Sequence, residues 1–202
     1  EAGYDLYEDV NGYKQEGFGP FDVTIDNGMR YGVSKAYLDK IKDKSNVKIF
    51  TNTSVLKILF KNKTAVGIEV EEKNKKISYF ANKEVLLSAG SINSPQILKL
   101  SGIGDAQELK KHGIEIINNL PGVGNNLQDH LEVYIQYKSK KKETLYNLST
   151  NYLTQVIEGI KWFLFKRGLL VHSHLELGGF VTTESKYLHP NLQYHFFPSL
   201  VI

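Results

Sequence analysis

The sequence predicts an α/β first part followed by an α+β second part, with the division near residue 131. Three observations lead there. Ser54–Phe60 and Thr64–Glu71 are β-branched, partly alternating runs that flank the turn Lys61-Asn62-Lys63, the pattern of paired strands. Val85-Leu86-Leu87 is a short continuous apolar run that ends at Ala89-Gly90 and precedes a helix signal, which suits a strand buried on both faces of a sheet. From Leu131 the character shifts to isolated strand-like segments around one amphipathic stretch, Thr154–Phe165.

Taken in order, residues 1–33 are rich in Gly, Tyr and Asp, lack periodicity and read as an irregular, surface-hugging segment. Ser34 can cap a helix whose apolar face is Ala36, Tyr37, Leu38 and Ile41. Val47–Phe50 reads as a strand ahead of the two already named, and Lys76–Phe80 adds another after the Lys73-Asn74-Lys75 turn. Ser94-Pro95 marks a helix start, because proline suits the first helical position and serine can cap it. That helix stops at Ser101-Gly102, and Asp105 with Glu108 forms a capping-box-like pair before Leu109. Pro121-Gly122-Val123-Gly124 is a turn-rich loop. Beyond the division, Leu131–Tyr137, Leu175–Thr183 and Leu192–Phe197 read as strands. No internal repeat or low-complexity stretch is present.

The 202 residues allow one or two domains, and 41% hydrophobic with 23% charged residues is ordinary for a globular chain rather than a disordered one. The longest apolar runs, such as Trp162–Phe165, are too short to span a bilayer, and no cationic-then-apolar start resembles a signal peptide. With no cysteine, a disulfide framework and a thiolate metal site are both excluded, and a reducing cytosol is compatible. No metal site is expected. The formal charge is +3, and the run Lys138-Ser-Lys-Lys-Lys142 reads as a solvated connector. No aromatic-interleaved basic groove supports a nucleic-acid partner. Glu1 is not an initiator methionine, Met29 is the sole methionine, and the last residues form an apolar stub, so the expectation is an internal fragment.

Two segments carry chemistry. Gly90-Ser-Ile-Asn-Ser-Pro-Gln-Ile-Leu-Lys-Leu-Ser-Gly-Ile-Gly104 follows the predicted buried strand. Small residues there let a ligand approach the backbone, and a helix start offers unpaired N–H groups to an anion. A plain strand–turn–helix connection accounts for the same residues and asks for less. Leu120-Pro-Gly-Val-Gly-Asn-Asn-Leu-Gln-Asp-His130 ends in an Asp129-His130 pair that suggests an acid–base dyad. Adjacent strand residues point to opposite faces, which weighs against it.

Both segments resemble the signatures of the glucose–methanol–choline (GMC) oxidoreductase family, the first over its whole length. Glu16-Gly-Phe-Gly-Pro-Phe-Asp22, Ala36-Tyr-Leu-Asp39, Ala81-Asn-Lys-Glu-Val-Leu-Leu87 and Asn191-Leu-Gln-Tyr-His-Phe-Phe-Pro198 extend the likeness across nearly the entire chain. It is closer to the bacterial choline dehydrogenase branch than to glucose or cholesterol oxidases.

The resemblance implies an α/β, Rossmann-like FAD-binding domain portion over 1–130 and an α+β substrate-binding domain portion over 131–202, both incomplete. It implies FAD as cofactor, with Val55 by the adenine end and Ser88, Ala89 and Gly90 near the dinucleotide. It assigns His130 a structural role. Glu176, in His174-Leu-Glu-Leu-Gly-Gly-Phe180, corresponds to the carboxylate that faces a trimethylammonium group in choline-oxidising relatives; a quaternary ammonium donates no conventional N–H hydrogen bond and needs a carboxylate and aromatic faces. Read alone, Glu176 is more simply an exposed residue of a half-buried strand. Tyr194 and Phe196 share a strand face and could add aromatic surface or simply pack.

The family's Gly-x-Gly-x-x-Gly fingerprint does not occur. None of His112, His130, His172, His174, His189 or His195 matches the catalytic histidine, which is expected beyond residue 202. The implied activity of the parent enzyme is oxidation of a primary alcohol, choline to betaine aldehyde, by hydride transfer to the flavin, with a respiratory electron acceptor. The expected location is cytoplasmic, with peripheral attachment at the inner membrane left open. Two rival readings are a family member acting on a neutral alcohol and a non-catalytic binding module.

Overall fold

The computed structural model describes residues 3–140, 145, 150–173, 175 and 177–198. In chain order its elements are β1 (Gly17–Pro20), β2 (Ile25–Asp26), β3 (Met29–Arg30), α1 (Val33–Ala36) with a 3-10 turn at Leu38–Lys40, β4 (Thr53–Lys61), β5 (Thr64–Glu72) and β6 (Lys75–Phe80). There follow α2 (Gly90–Leu100), β7 (Ile103–Gly104), α3 (Ala106–Lys111), β8 (Asn118–Asn119), α4 (Tyr152–Phe165), a 3-10 turn at Leu169–Val171, β9 (Leu177–Val181) and β10 (Leu192–Phe196). They group into two compact units: Lys48–Val133, and Glu1–Val47 with Tyr134–Ile202.

In the unit Lys48–Val133, β4, β5 and β6 form an antiparallel meander in that order. Its hairpins turn on Asn62-Lys63 and Lys73-Asn74, whose φ angles of 49°, 64°, 50° and 61° are those of tight two-residue loops matching the strand twist. Val55, Val70 and Ile77 stand in one cross-strand row, and Ile58, Ile68 and Tyr79 in the next, giving the sheet one apolar face. Ile58 and Val70 are buried there, as are Ile97 on α2 and Leu109 on α3. α2 packs against β4, where the Ile58 amide donates to Ser101 Oγ at 2.7 Å and that hydroxyl donates to the Ile97 carbonyl at 2.5 Å. Gly102, at φ +83°, ends the helix. α3 is capped by Asp105, whose Oδ1 accepts the amides of Gln107 and Glu108, each at 2.9 Å. The Glu108 carboxylate pairs with Lys99 Nζ at 2.8 and 2.9 Å, tying α3 to α2.

In the other unit, β9 is the central strand between β1 and β10, antiparallel to both. α4 is capped by Asn151, whose Oδ1 accepts the Thr154 amide at 3.2 Å. Its polarity is inverted relative to an ordinary surface helix: Glu158 is its buried residue, while Leu153, Ile157, Ile160 and Leu164 are exposed. Burial of Glu158 is compensated by Lys161 Nζ at 2.6 Å and by the Leu169 amide at 2.8 Å. Trp162 Nε1–H donates to the Gly28 carbonyl at 2.7 Å, fastening α4 to the β2–β3 hairpin.

Several local expectations are corrected. Residues 1–33 contain three short strands rather than only irregular chain. α1 is a single turn capped at Gly32, and Ser34 lies inside it. α2 begins at Gly90, so Pro95 is internal and its missing N–H leaves the Ser91 carbonyl without an i+4 donor. Ser94 Oγ instead accepts the Ala89 amide at 3.1 Å. Val47–Phe50, Val85–Leu87 and Leu131–Tyr137 are not strands, and Leu86, Leu131 and Tyr137 are 80%, 96% and 90% exposed. Apolar residues make a strand only where a neighbouring strand takes up the backbone groups, and among the described residues no strand pairs with Val47–Phe50 or Val85–Leu87. β9 and β10 are shorter than expected, and β9 begins at Leu177.

Candidate functional site

The two signature segments meet. Ile103–Gly104, at the end of the first, pairs in parallel with Asn118–Asn119, just before the second. The Leu120 amide donates to the Gly104 carbonyl at 2.9 Å, and the Ala106 amide to Asn119 Oδ1 at 3.0 Å. Lys99 passes close to Gly124, where an added Cβ would stand 3.1 Å from its Cε, so the glycine loop lies along the α2 side chain that also holds Glu108. The Asp129-His130 pair is exposed, and Asp129 Oδ1 accepts the His130 backbone amide at 2.8 Å. This contact reaches the neighbouring backbone amide and not the imidazole.

The residues assigned to the cofactor lie in this same unit. Val55 is half-buried in the apolar row with Val70. Ser88 is exposed, Ala89 is the residue preceding α2, and Gly90 enters the helix at φ +84°. No side chain caps the start of α2, so its first-turn amides are open to an external acceptor. A Cβ on Gly90 would meet nothing within 4 Å, so the backbone there borders open space. A small-residue turn, an uncapped eleven-residue helix and free space together fit the phosphates of a dinucleotide such as FAD.

Three further motifs, read separately in the sequence, assemble into one sheet. Glu16–Asp22 supplies β1, Leu177–Phe180 lies in β9, and Asn191–Pro198 supplies β10. Glu16 Oε1 also accepts the Thr182 amide at 3.0 Å, across 166 residues of chain. On one face Phe18, Gly179 and Tyr194 are in register, with the Phe18 and Tyr194 rings 5.8 Å apart and Tyr4 5.4 Å from Phe18. On the other face Phe21 lies against His195 at 5.3 Å and Phe180 at 6.3 Å. Glu176 and His174 lie outside the described residues. The partners that sequence reasoning missed are Phe18, Phe21, Gly178 and Gly179. The glycine doublet inside a predicted strand was the available signal, since such a position marks close approach of another group.

Among the described residues no cluster of His, Asp or Glu could hold a metal ion, and no helix is long and apolar enough to cross a membrane. Comparison with known proteins gives a consistent picture. The chain is 46% identical to an oxygen-dependent choline dehydrogenase of Photobacterium profundum over 98% of its length, and 46% identical to the mitochondrial choline dehydrogenase of Homo sapiens over 100%. It spans about a third of the length of these curated relatives, 35% and 34%. A solved FAD-dependent oxidoreductase from Chaetomium thermophilum superposes with a TM-score of 0.79 at 30% identity, covering 88% of this chain and 32% of the other. The GMC oxidoreductase family model matches residues 1–132. That match takes in β1, the meander and both signature segments joined at Gly104 and Leu120, and it places this chain in the GMC oxidoreductase family.

Proposed function

We propose that this chain is a segment of an FAD-dependent enzyme that oxidises choline to betaine aldehyde. The observation that carries the reading is 46% identity, along essentially the whole chain, to choline dehydrogenases from a bacterium and from Homo sapiens. In that enzyme residues 1–130 belong to the flavin-binding domain and 131–202 to the substrate domain. The exposed apolar stripe Leu153, Ile157, Ile160 and Leu164 supports a segment that a longer protein covers.

When bound, the flavin supplies the acceptor for the hydride leaving the alcohol carbon. This chain's part is to bind and orient. Ser88, Ala89 and Gly90 receive the dinucleotide phosphates at the start of α2, and Val55 offers an apolar strand surface at the adenine end. Glu176 faces the substrate's trimethylammonium group, which it attracts by charge alone, so it selects a cationic alcohol over a neutral one. The base that takes the hydroxyl proton lies outside residues 1–202. A respiratory electron acceptor and a cytoplasmic location, with at most peripheral membrane attachment, belong to the same proposal.

The test is Glu176→Gln in the full-length flavoenzyme. The choline KM should rise by about tenfold, as loss of one close charge contact predicts, with kcat little changed. An unchanged choline KM removes Glu176 from the substrate site.

A further inference from the structure

The dipeptide Asn-Gly occurs twice in the chain, at Asn11-Gly12 and at Asn27-Gly28. This pairing readily loses its side-chain amide, because glycine has no Cβ to crowd the attack of its own backbone nitrogen on the preceding side chain. The same chemistry therefore sits in two settings, and the fold treats them differently.

Asn27-Gly28 is the two-residue loop between β2 and β3, with φ of 48° and 66°, the geometry such hairpins require. The Asn27 side-chain amide donates to the Asp26 carboxylate at 3.2 Å. The Gly28 carbonyl accepts Trp162 Nε1–H at 2.7 Å, and a Cβ on Gly28 would collide with the Lys166 carbonyl, so the loop is pressed onto the end of α4. Attack requires Asn27 to turn until its Cγ meets the Gly28 nitrogen, and that movement breaks these contacts.

Asn11-Gly12 instead closes an exposed turn ahead of β1. The Asn11 backbone amide donates to Asp9 Oδ1 at 2.8 Å, and the Gly12 amide to the Asp9 carbonyl at 3.2 Å, the long end of the hydrogen-bonding range. Among the described residues the Asn11 side chain has no hydrogen-bond partner. It lines an open cleft with Lys14 and His189, so water reaches it. Bringing Asn11 Cγ to the Gly12 nitrogen costs little more than the one long bond.

We propose that Asn11 is a deamidation site of this protein, and that the pinned hairpin shields Asn27 from the same reaction. The Gly12 amide nitrogen, having lost its proton to hydroxide, bonds to Asn11 Cγ. The Cγ–Nδ2 bond breaks, and that nitrogen leaves as ammonia after taking a proton from water. Water then opens the resulting succinimide. Entry at the side-chain carbonyl leaves aspartate; entry at the main-chain carbonyl leaves isoaspartate, with the chain rerouted through Cβ and Cγ. Nothing is oxidised or reduced. Either product adds a carboxylate to the cleft that Lys14 lines.

The experiment holds the FAD-loaded full-length enzyme in mildly alkaline buffer and then digests it with trypsin at mildly acidic pH. Cleavage after Lys14 and Arg30 puts Asn11 and Asn27 in separate peptides. Mass spectrometry follows the amide lost from each, and labelling by an isoaspartyl methyltransferase reports the rerouted product. In the native enzyme Asn11 should convert at least about tenfold faster than Asn27, as one local opening step of ordinary cost predicts, and faster as pH rises. In denaturant the two should convert at similar rates, because only the fold separates them. Trp162→Phe, which frees the Gly28 carbonyl, should speed conversion of Asn27 and leave that of Asn11 unchanged. Native Asn11 that keeps its amide while the denatured chain loses it, or native Asn27 that converts as fast as Asn11, overturns the proposal. Asn27 that stays protected in Trp162→Phe overturns the part assigned to the pinned hairpin.

Discussion

The hydroxyl of Ser101 accepts the backbone amide of Ile58 at 2.7 Å and so closes the exposed edge of the β4–β5–β6 sheet with the end of a helix. An open strand edge presents unpaired backbone groups, and here a residue of the first signature segment satisfies one of them in a buried setting, with Ser101 7% exposed. Ser101→Ala should destabilise the protein by ~1–3 kcal/mol, the cost of orphaning a buried amide. Chemical denaturation measures it; an effect within a few tenths of a kcal/mol would show that water replaces the hydroxyl.

Glu158 makes stability depend on pH in a defined direction. Its carboxyl is held below its ordinary value of 4.5, first by the Lys161 ammonium and then by the Leu169 amide. A carboxylate with a lowered native pKa adds stability that is fully present above the ordinary value and is lost as pH falls through the native one. The 3-10 turn at Leu169–Val171 should therefore loosen below pH 4.5, and faster exchange of the Leu169 amide, corrected for intrinsic rate, would report it. Glu158→Gln should remove this acid-side change. A variant whose exchange still rises on acidification would assign the effect to another group.

Trp162 joins α4 to the β2–β3 hairpin through Nε1–H on the Gly28 carbonyl, with Lys166 Nζ over its ring at 3.9 Å. Trp162→Phe keeps an aromatic body but removes the donor. The expected loss is ~0.5–1.5 kcal/mol, appearing as faster hydrogen exchange across Ile25–Arg30. Unchanged exchange there would mean the hairpin is held by other contacts.

Gly90 separates a turn role from a cofactor role. At φ +84° an alanine is strained by ~1–2 kcal/mol wherever it stands. Its methyl would also enter the open space beside Ser88 and Ala89. If the phosphates of FAD lie there, Gly90→Ala should weaken flavin retention in the full-length enzyme beyond what the stability loss explains. Titration of the deflavinated enzyme with FAD measures this, and unaltered affinity would leave Gly90 as a turn residue only.

What was legible in the sequence follows from which interactions are local. The meander could be read because its turns, Asn62-Lys63 and Lys73-Asn74, encode their own geometry. The Asp105 cap and the α4 helix were legible for the same reason. Val85–Leu87 does not form the expected strand; a continuous apolar run looks the same with or without a neighbouring strand to pair. Pro95 misled because proline and serine mark helix starts on average, whereas here Ser94 bonds back to Ala89 from inside the helix. The motifs around Phe18, Gly179 and Tyr194 were each visible, but their assembly into one sheet depends on pairings between distant parts of the chain that no local pattern records.

The central claim is tested most directly by adding choline, without oxygen, to the full-length enzyme containing this segment and following its flavin absorbance. The account predicts stoichiometric bound FAD whose oxidised visible band is lost on addition of choline, and lost far more slowly with the neutral tert-butyl analogue. A protein that binds no flavin, or whose flavin is reduced by neutral alcohols and stays oxidised with choline, would contradict it.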